Sequence, residues 1–330
     1  MLYPAFLALA AFMVTLLGTR LLILSLRNRP VFLDKPNSRS SHTTPVPRVG
    51  GIAVVTTLLI YFVATDVHFA LILGLLVLAG VSILDDLIGI HPAFRLVTHF
   101  SVVTAMLHIL PLNLFEGILP SWLSTVLITI GWVWFINLYN FMDGIDGITA
   151  SETISVTGGI ILVLSFAESF GEGLGYHAII LMAAMIGFWW WNRYPAKIFL
   201  GDIGSISLGF IVGYFLISLA HRGYGSAAAI LPAYYVMDAT ITLLKRIWER
   251  KKIWQAHREH FYQQATMHIQ RHDWVARLVF GVNLLLIALA IFATIYPEIN
   301  WLCVILAYAV SGIWLLTFAR IHEIKHRLFK

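Results

Sequence analysis

The stretch "NLYNFMDGIDGIT", Asn137 to Thr149, lies at the junction of two apolar runs, about 121–141 and 147–167. It places Asn137, Asn140, Asp143 and Asp146 at intervals of three residues. An amide or carboxylate is costly beside lipid, so four of them at the end of an apolar run need a reason. Residues three apart are neighbours on a helix surface, and the set sweeps round the helix as the run ends. Gly144 and Gly147 allow a turn or a close backbone approach. Helix capping accounts for one or two of the four, not for all.

Outward from this stretch, the chain is dominated by similar apolar runs. Its 330 residues are 59% hydrophobic and 12% charged, with 11 Trp and 21 Phe. A soluble domain carries roughly twice that charge. Runs near the ~20 residues that cross a bilayer are expected at about 4–26, 49–65, 67–84, 93–111, 121–141, 147–167, 174–191, 203–221, 225–245, 274–295 and 299–319. The fold class is therefore all-α, a polytopic membrane helix bundle of about eleven spans in one domain, 1–330. The first run is followed, not preceded, by basic residues, so it reads as a span and not a signal peptide. The lone Cys303 excludes an intramolecular disulfide and a Cys-based metal site.

Numbering the connections from the first span, the odd ones and the C-terminal tail hold twenty Lys and Arg; the opposite side offers only Arg222. This bias puts the N-terminus outside and the C-terminus in the cytoplasm. The +5 net charge belongs to that face and does not indicate nucleic-acid binding.

With that orientation, Asp66, Glu116, Glu168, Glu172 and Glu298 fall in short external connections, where water satisfies them. Asp85, Asp86, Asp143, Asp146 and Asp202 fall at the cytoplasmic ends of three spans, beside the basic loops. Carboxylates and cations gathered there suit a divalent cation and a polyanionic substrate; oxygen ligands suit Mg²⁺, which takes a few carboxylates plus substrate phosphates. In "ILDDLIGIHP" (83–92) the adjacent Asp85 and Asp86 point about 100° apart and so have different tasks. In "WWWNRYPAKIFLGDIGSISLGF" (189–210), Gly201, Gly204 and Ser205 around Asp202 suit a turn whose N–H groups meet an anion. Phe199 there is a candidate platform for a base, and Trp189–Trp191 read as interfacial anchors. "DKPNSRSSHTTPVPRVGGI" (34–52), with Lys35, Arg39, Arg48 and Gly50–Gly51, reads as a phosphate-friendly loop. In "QAHREHFYQQ" (255–264), His257, Arg258 and His260 fit phosphate binding or proton handling better than zinc, since no third ligand accompanies them. Asp238, about two turns inside the ninth run, reads as half of an internal salt bridge with Thr242 and Lys245 near its face.

The ordered set "DKPN…GGI", "DDLIG", "NLYNFMDGIDG", "FLGDIGS" and the late His-containing loop resembles the polyprenyl-phosphate N-acetylhexosamine-1-phosphate transferases. That superfamily includes initiators of O-antigen, enterobacterial common antigen and teichoic-acid linkage units, and the lipid I synthase of peptidoglycan. The resemblance covers essentially the whole chain and implies an enzyme of the bacterial inner membrane working on its cytoplasmic face. Undecaprenyl phosphate would attack the β-phosphorus of a UDP-N-acetylhexosamine, giving undecaprenyl-diphospho-sugar and UMP. Mg²⁺ is the implied cofactor, with Mn²⁺ as a substitute. Metal ligation transfers to Asp202 and Asn140, and the paired-aspartate role to Asp85 and Asp86, as base or electrostatic partner. Asp143 and Asp146 would line the nucleotide pocket, with Asn192 and Phe199 at the uracil. His260 joins the catalytic set, and Arg258 and Arg48 the substrate-binding set. Phosphoryl transfer needs alignment and charge neutralisation more than covalent help, which favours direct displacement with Asp85 taking any remaining proton. A two-step route through an aspartyl intermediate is the competing mechanism. Besides the two substrates and the bilayer, a second copy of the chain is a candidate partner.

Two departures separate the chain from the lipid I synthases. Tyr262 and Gln263 stand where several relatives carry a further His pair, and Thr43 and Thr44 follow His42 where some carry a basic residue. Both fit an O-antigen or related glycan initiator better, with N-acetylglucosamine or a 6-deoxy amino sugar such as N-acetylfucosamine or N-acetylquinovosamine as donor. A secondary transporter would place its coupling carboxylates near mid-bilayer, where only Asp238 lies. An intramembrane aspartyl protease would need glycine at position 199 in place of Phe199.

Overall fold

A computed structural model describes residues 2–321 except 27–28, 30–31, 35–44, 66, 111, 113, 115–116, 171–172 and 253–256. Among the described residues the apolar runs form α1 (Leu2–Leu26), α2 (Gly51–Ala64), α3 (Phe69–Ile88), α4 (Pro92–Ile109), α5 (Ser121–Phe141), α6 (Ile148–Phe166) and α7 (Leu174–Asn192). They continue with α8 (Gly201–Leu219), α9 (Gly225–Ile230), α10 (Ala233–Trp248), α11 (Phe261–Ile269), α12 (His272–Ile295) and α13 (Asn300–Ala319). Among the described residues, the exception to the all-α expectation is a two-residue pairing, β1 (Leu33–Asp34) antiparallel to β2 (Val46–Pro47). Asp66, Glu116 and Glu172, and in the 34–52 loop Lys35, Arg39, His42, Thr43 and Thr44, lie outside the described residues.

The protein is a polytopic membrane helix bundle. Among the described residues, eight helical runs, Pro4–Leu26, Phe69–Ile88 and Gly201–Ile230 among them, are long and apolar enough to cross a bilayer. Each of the eleven expected segments contains helix, but not each is a span by this measure. α2 has only 14 residues. α4 carries Arg95, His99 and His108 and is not among the eight. The expected run 225–245 is two helices, because the chain breaks at Leu231–Pro232 and a proline has no N–H to continue the ladder. α11, inside the largest loop, was not anticipated.

α8 is the centre of the bundle, with fifteen of its nineteen residues buried. Its glycines set how closely α5 approaches: a Cβ on Gly209 would fall 2.9 Å from Ile136 Cα, and one on Gly213 2.6 Å from Trp132 Nε1. Trp132 stacks on Phe210 and donates its indole N–H to the Phe210 carbonyl at 3.0 Å. The outer helices show the opposite pattern, with Leu9, Leu17 and Leu21 of α1 exposed, as lipid-facing side chains are.

Candidate active site

The end of α3 and the start of α4 are tied together by Asp85. Its Oδ1 accepts the Ile90 N–H at 2.7 Å, and its backbone carbonyl accepts the Gly89 N–H at 2.9 Å. Gly89 (φ 70°) makes the turn, and Pro92 opens α4 with the His91 ring capping the Ala93 N–H. This short connection sends α4 back so that Arg95 reaches the carboxylates. Its guanidinium bonds to Asp85 Oδ2 and lies 3.2 Å from Asp202 Oδ2 in the first turn of α8.

Arg48 and Asp202 are brought to the same place by a backbone zipper. Phe199 N donates to the Pro47 carbonyl at 2.7 Å, Gly50 N to Phe199 at 2.9 Å and Gly51 N to Leu200 at 2.8 Å. The contact leaves no room for side chains. A Cβ on Gly51 would sit 2.3 Å from Gly204 N, and one on Gly201 (φ 73°) 2.1 Å from the Arg48 carbonyl oxygen. The glycine pair and Gly201–Gly204 therefore serve helix-to-helix approach, and the Gly50 and Gly51 N–H groups are committed to carbonyls. Gly50–Gly51 at the end of the 34–52 loop thus form a packing joint with the start of α8. From it Arg48 reaches Asp86, Nη2 to Oδ1 at 3.4 Å.

The four polar residues of 137–146 separate. Asn137 stays inside the bundle, donating to the Val133 carbonyl at 2.7 Å and meeting His99 of α4 at 3.3 Å. Asn140 reaches the cluster: its Oδ1 accepts from Ser205 at 2.7 Å, and its amide bonds to Asp202. Asp143 is half-buried in the loop after α5. Burial pushes its carboxyl up to about 7; a hydrogen bond from Thr149 works against this, and the charges of Asp202 and Asp146 add to it. Asp146 instead fastens the loop, accepting from Ala196 N at 2.9 Å and meeting His272 Nδ1, at the start of α12, at 3.1 Å. Asn192 does the same: Oδ1 accepts from Gly147 N at 3.1 Å, and Nδ2 donates to the Ile198 carbonyl at 2.9 Å. Placed by resemblance at the uracil, Asn192 has both ends of its amide inside the protein. Phe199 is partly exposed beside the zipper.

Asp238 organises the late loop. Fully buried in α10, it accepts from Phe261 N and Tyr262 N at 3.1 Å each, from Tyr234 and Thr242 hydroxyls, and from His260 Nδ1 at 3.2 Å. Two of the N–H groups left open at the start of α11 are thus satisfied by a carboxylate, where the helix dipole also favours one. This corrects the expected salt bridge, since Lys245 pairs with Glu249. His260, expected in the catalytic set, is 2% exposed and lies beneath the loop, its ring stacked between His257 and Tyr262. His257 is held down to about 4, first by burial and then by its neighbours His260 and Arg246, so its ring is neutral at neutral pH. Tyr262 donates to the Phe141 carbonyl at 3.1 Å and packs on Gly144, whose absent Cβ would lie 2.3 Å from the phenol oxygen. Arg258 carries a buried Nη2 with no partner.

Asp85, Asp86, Asn140, Asp143 and Asp202 thus converge with Arg48 and Arg95, while Asp146, Asn192 and His260 form the supporting frame. Three carboxylates, Asp85, Asp86 and Asp202, face the guanidinium groups of Arg48 and Arg95, and Asp143 lies within electrostatic reach of Asp202. Among the described residues no three Asp, Glu, His or Cys side chains make a metal cage by themselves. An all-oxygen set of one carboxylate and one amide fits Mg²⁺, whose remaining ligands are water and substrate. Arg95 is the residue missed in the sequence, and Asp238 the one given the wrong partner. Arg95 stood as one basic residue in a short loop, and its signal was its position four residues beyond the His91–Pro92 helix start.

The family described as glycosyl transferase family 4 matches residues 68–220, which hold Asp85, Asp86, Arg95, Asn140, Asp143, Asp146, Asn192, Phe199 and Asp202. The chain is 33% identical over 178 residues, 54% of each chain, to undecaprenyl-phosphate alpha-N-acetylglucosaminyl 1-phosphate transferase of Thermotoga maritima. It is 32% identical over 256 residues, 61% of this chain and 72% of the relative, to phospho-N-acetylmuramoyl-pentapeptide-transferase of Frankia alni. A probable undecaprenyl-phosphate N-acetylglucosaminyl 1-phosphate transferase of Bacillus subtilis is 23% identical over 257 residues, 70% of this chain and 69% of the relative.

Proposed function

Because the chain belongs to glycosyl transferase family 4, among the polyprenyl-phosphate hexosamine-1-phosphate transferases, we propose that it transfers N-acetylhexosamine 1-phosphate from a UDP-sugar to undecaprenyl phosphate. The products are undecaprenyl-diphospho-sugar and UMP. The reaction would take place on the cytoplasmic face of a bacterial inner membrane and begin an O-antigen or related envelope glycan. The observation carrying this reading is the joining of three helices by charge: Arg95 of α4 to Asp85 of α3 and Asp202 of α8, with Arg48 on Asp86.

A lipid phosphate oxygen forms a bond to the β-phosphorus of the donor as the bond from that phosphorus to the UMP oxygen breaks. Asp202 and Asn140 would hold Mg²⁺, which when bound neutralises charge on the diphosphate. Arg48 and Arg95 lie among the carboxylates with guanidinium groups suited to paired phosphate oxygens. The two adjacent aspartates divide the work. Both oxygens of Asp85 are engaged, one by Ile90 N and one by Arg95, which suits it to positioning Arg95. Among the described residues Asp86 has Arg48 alone as a side-chain partner, and it is the better acceptor for a proton still on the lipid phosphate. This moves the proton-accepting role from Asp85 to its neighbour.

A second reading, muramoyl-pentapeptide phosphate transfer, is favoured by one observation, the Frankia alni relative's coverage at 32% identity. Tyr262 and Gln263 against Gly144 favour the first. The test is UMP release by purified protein with undecaprenyl phosphate, Mg²⁺ and a panel of UDP-sugars that includes the muramoyl-pentapeptide donor. Release with an N-acetylhexosamine donor, abolished by Asp202→Asn, is the expected result. Release with the pentapeptide donor alone would select the second reading, and none with any donor would remove both.

A further inference from the structure

Inside the bundle, away from the charged cluster, Glu152 of α6 and Asn283 of α12 face each other at 0% and 1% exposure. Asn283 Nδ2 donates to Glu152 Oε2 at 2.6 Å. The other two oxygens of the pair, Glu152 Oε1 and Asn283 Oδ1, are both buried and have no hydrogen-bond partner. Two ionised or amide oxygens are both acceptors, so neither can satisfy the other. No basic side chain bonds to Glu152 among the described residues, and the ionisable groups within its electrostatic reach are the phenols of Tyr139, Tyr234 and Tyr235.

One proton resolves both orphan atoms. On Oε1 it makes the carboxyl a donor, and its complement in a reciprocal pair is the amide oxygen Oδ1. We propose that Glu152 is a neutral carboxylic acid closing an acid–amide pair with Asn283, and that this pair positions the site by holding α6 against α12. An ionised Glu152 would be an unpaired charge at bilayer depth, where such groups are rare and costly.

The connection to the site runs along α6. The same two helices are joined at their cytoplasmic ends by Asp146 and His272, 3.1 Å apart, so the acid–amide pair is a second tie between them. The intervening turns of α6 are fixed to α5 by Tyr139 and Thr153 at 2.7 Å, and to α10 by Tyr235 and Thr149 at 3.3 Å. Thr149 in turn bonds to Asp143. The height of α6 therefore sets where Asp143 meets Asp202. Glu152 is a positioning residue and touches no substrate.

The test compares the parent with Glu152→Gln and Glu152→Ala. A glutamine amide can give its N–H to Asn283 Oδ1 and accept from Nδ2, so Glu152→Gln keeps the reciprocal pair without a proton; alanine leaves Asn283 with neither partner. The infrared difference between parent and Glu152→Gln, taken near neutral pH, where carboxyls common to both proteins cancel, is expected to show one protonated-carboxyl carbonyl band. Glu152→Gln is expected to hold the parent's thermal midpoint and to release UMP within about threefold of it, and Glu152→Ala to lose at least about tenfold. Absence of the infrared band, or a Glu152→Gln variant as impaired as Glu152→Ala, overturns the assignment. The activity readout alone rests on the proposed reaction. The band and the midpoint are read on the protein itself, so failure of that reaction is distinguishable from failure of the pair. They also serve if Glu152→Ala does not fold.

Discussion

The Arg95 guanidinium lies 3.2 Å from Asp202 Oδ2 and bonds at the same time to Asp85, so one side chain joins the ends of α3, α4 and α8. Arg95→Ala removes that joint and leaves two carboxylates facing each other uncompensated. Loss of a charged donor aimed at a transferring group costs about 10²–10³ in rate, and UMP release is expected to fall within that range. Arg95→Lys keeps the charge but not the fork that reaches both carboxylates, and should fall between the two. Equal turnover in all three proteins would remove Arg95 from the site.

Asp238 gathers five donors, three of them from the late loop and α11. In Asp238→Ala the N–H groups of Phe261 and Tyr262 lose their acceptor inside the protein. Hydrogen bonds to a charged group contribute about 1.5–3 kcal/mol each, so a lowered thermal midpoint is expected, with faster proteolysis around His257–Tyr262. Lys245→Ala, whose partner is Glu249 on the surface, should change neither.

Glycine substitutions separate the packing joint from open positions. Gly201→Ala combines a left-handed φ of 73° with a Cβ 2.1 Å from the Arg48 carbonyl oxygen, and should destabilise by more than about 2 kcal/mol. Gly80→Ala meets nothing within 4 Å on α3 and should be neutral or stabilise by up to about 1 kcal/mol. Thermal midpoints of the two purified variants check the contrast.

Asp143 makes stability depend on pH in a stated direction. Its folded value is raised from 3.8 to about 7, so between these values the folded state binds more protons than the unfolded one. Without divalent cation, stability should therefore fall as pH rises from about 4 to about 7. Asp143→Asn is expected to flatten that part of the thermal profile. Mg²⁺ binding near Asp202 should also flatten it by offsetting the neighbouring charge. A profile unchanged by Asp143→Asn would show that the carboxyl is not desolvated.

Much of the architecture was legible because apolar runs must become helices where water is excluded. The end of α3 at "DDLIGIHP" and the carboxylates near one end of the bundle followed from such runs and from what interrupts them. The break at Leu231–Pro232 was misread because a window average hides a single missing N–H. Asp238 was misread because an intramembrane carboxylate was given a partner on its own helix, while its partners come from α11 and His260.

By itself the order of residues determined that greasy helices would carry Asp85, Asp86, Asn140 and Asp202 to their ends, since partitioning into a bilayer acts on each segment separately. Only the tertiary structure decided which polar groups meet substrate and which hold the frame. That choice depends on pairings such as Arg95 with Asp202 and Glu152 with Asn283, between residues 107 and 131 positions apart. No local pattern encodes a contact whose two halves are brought together by the packing of other helices.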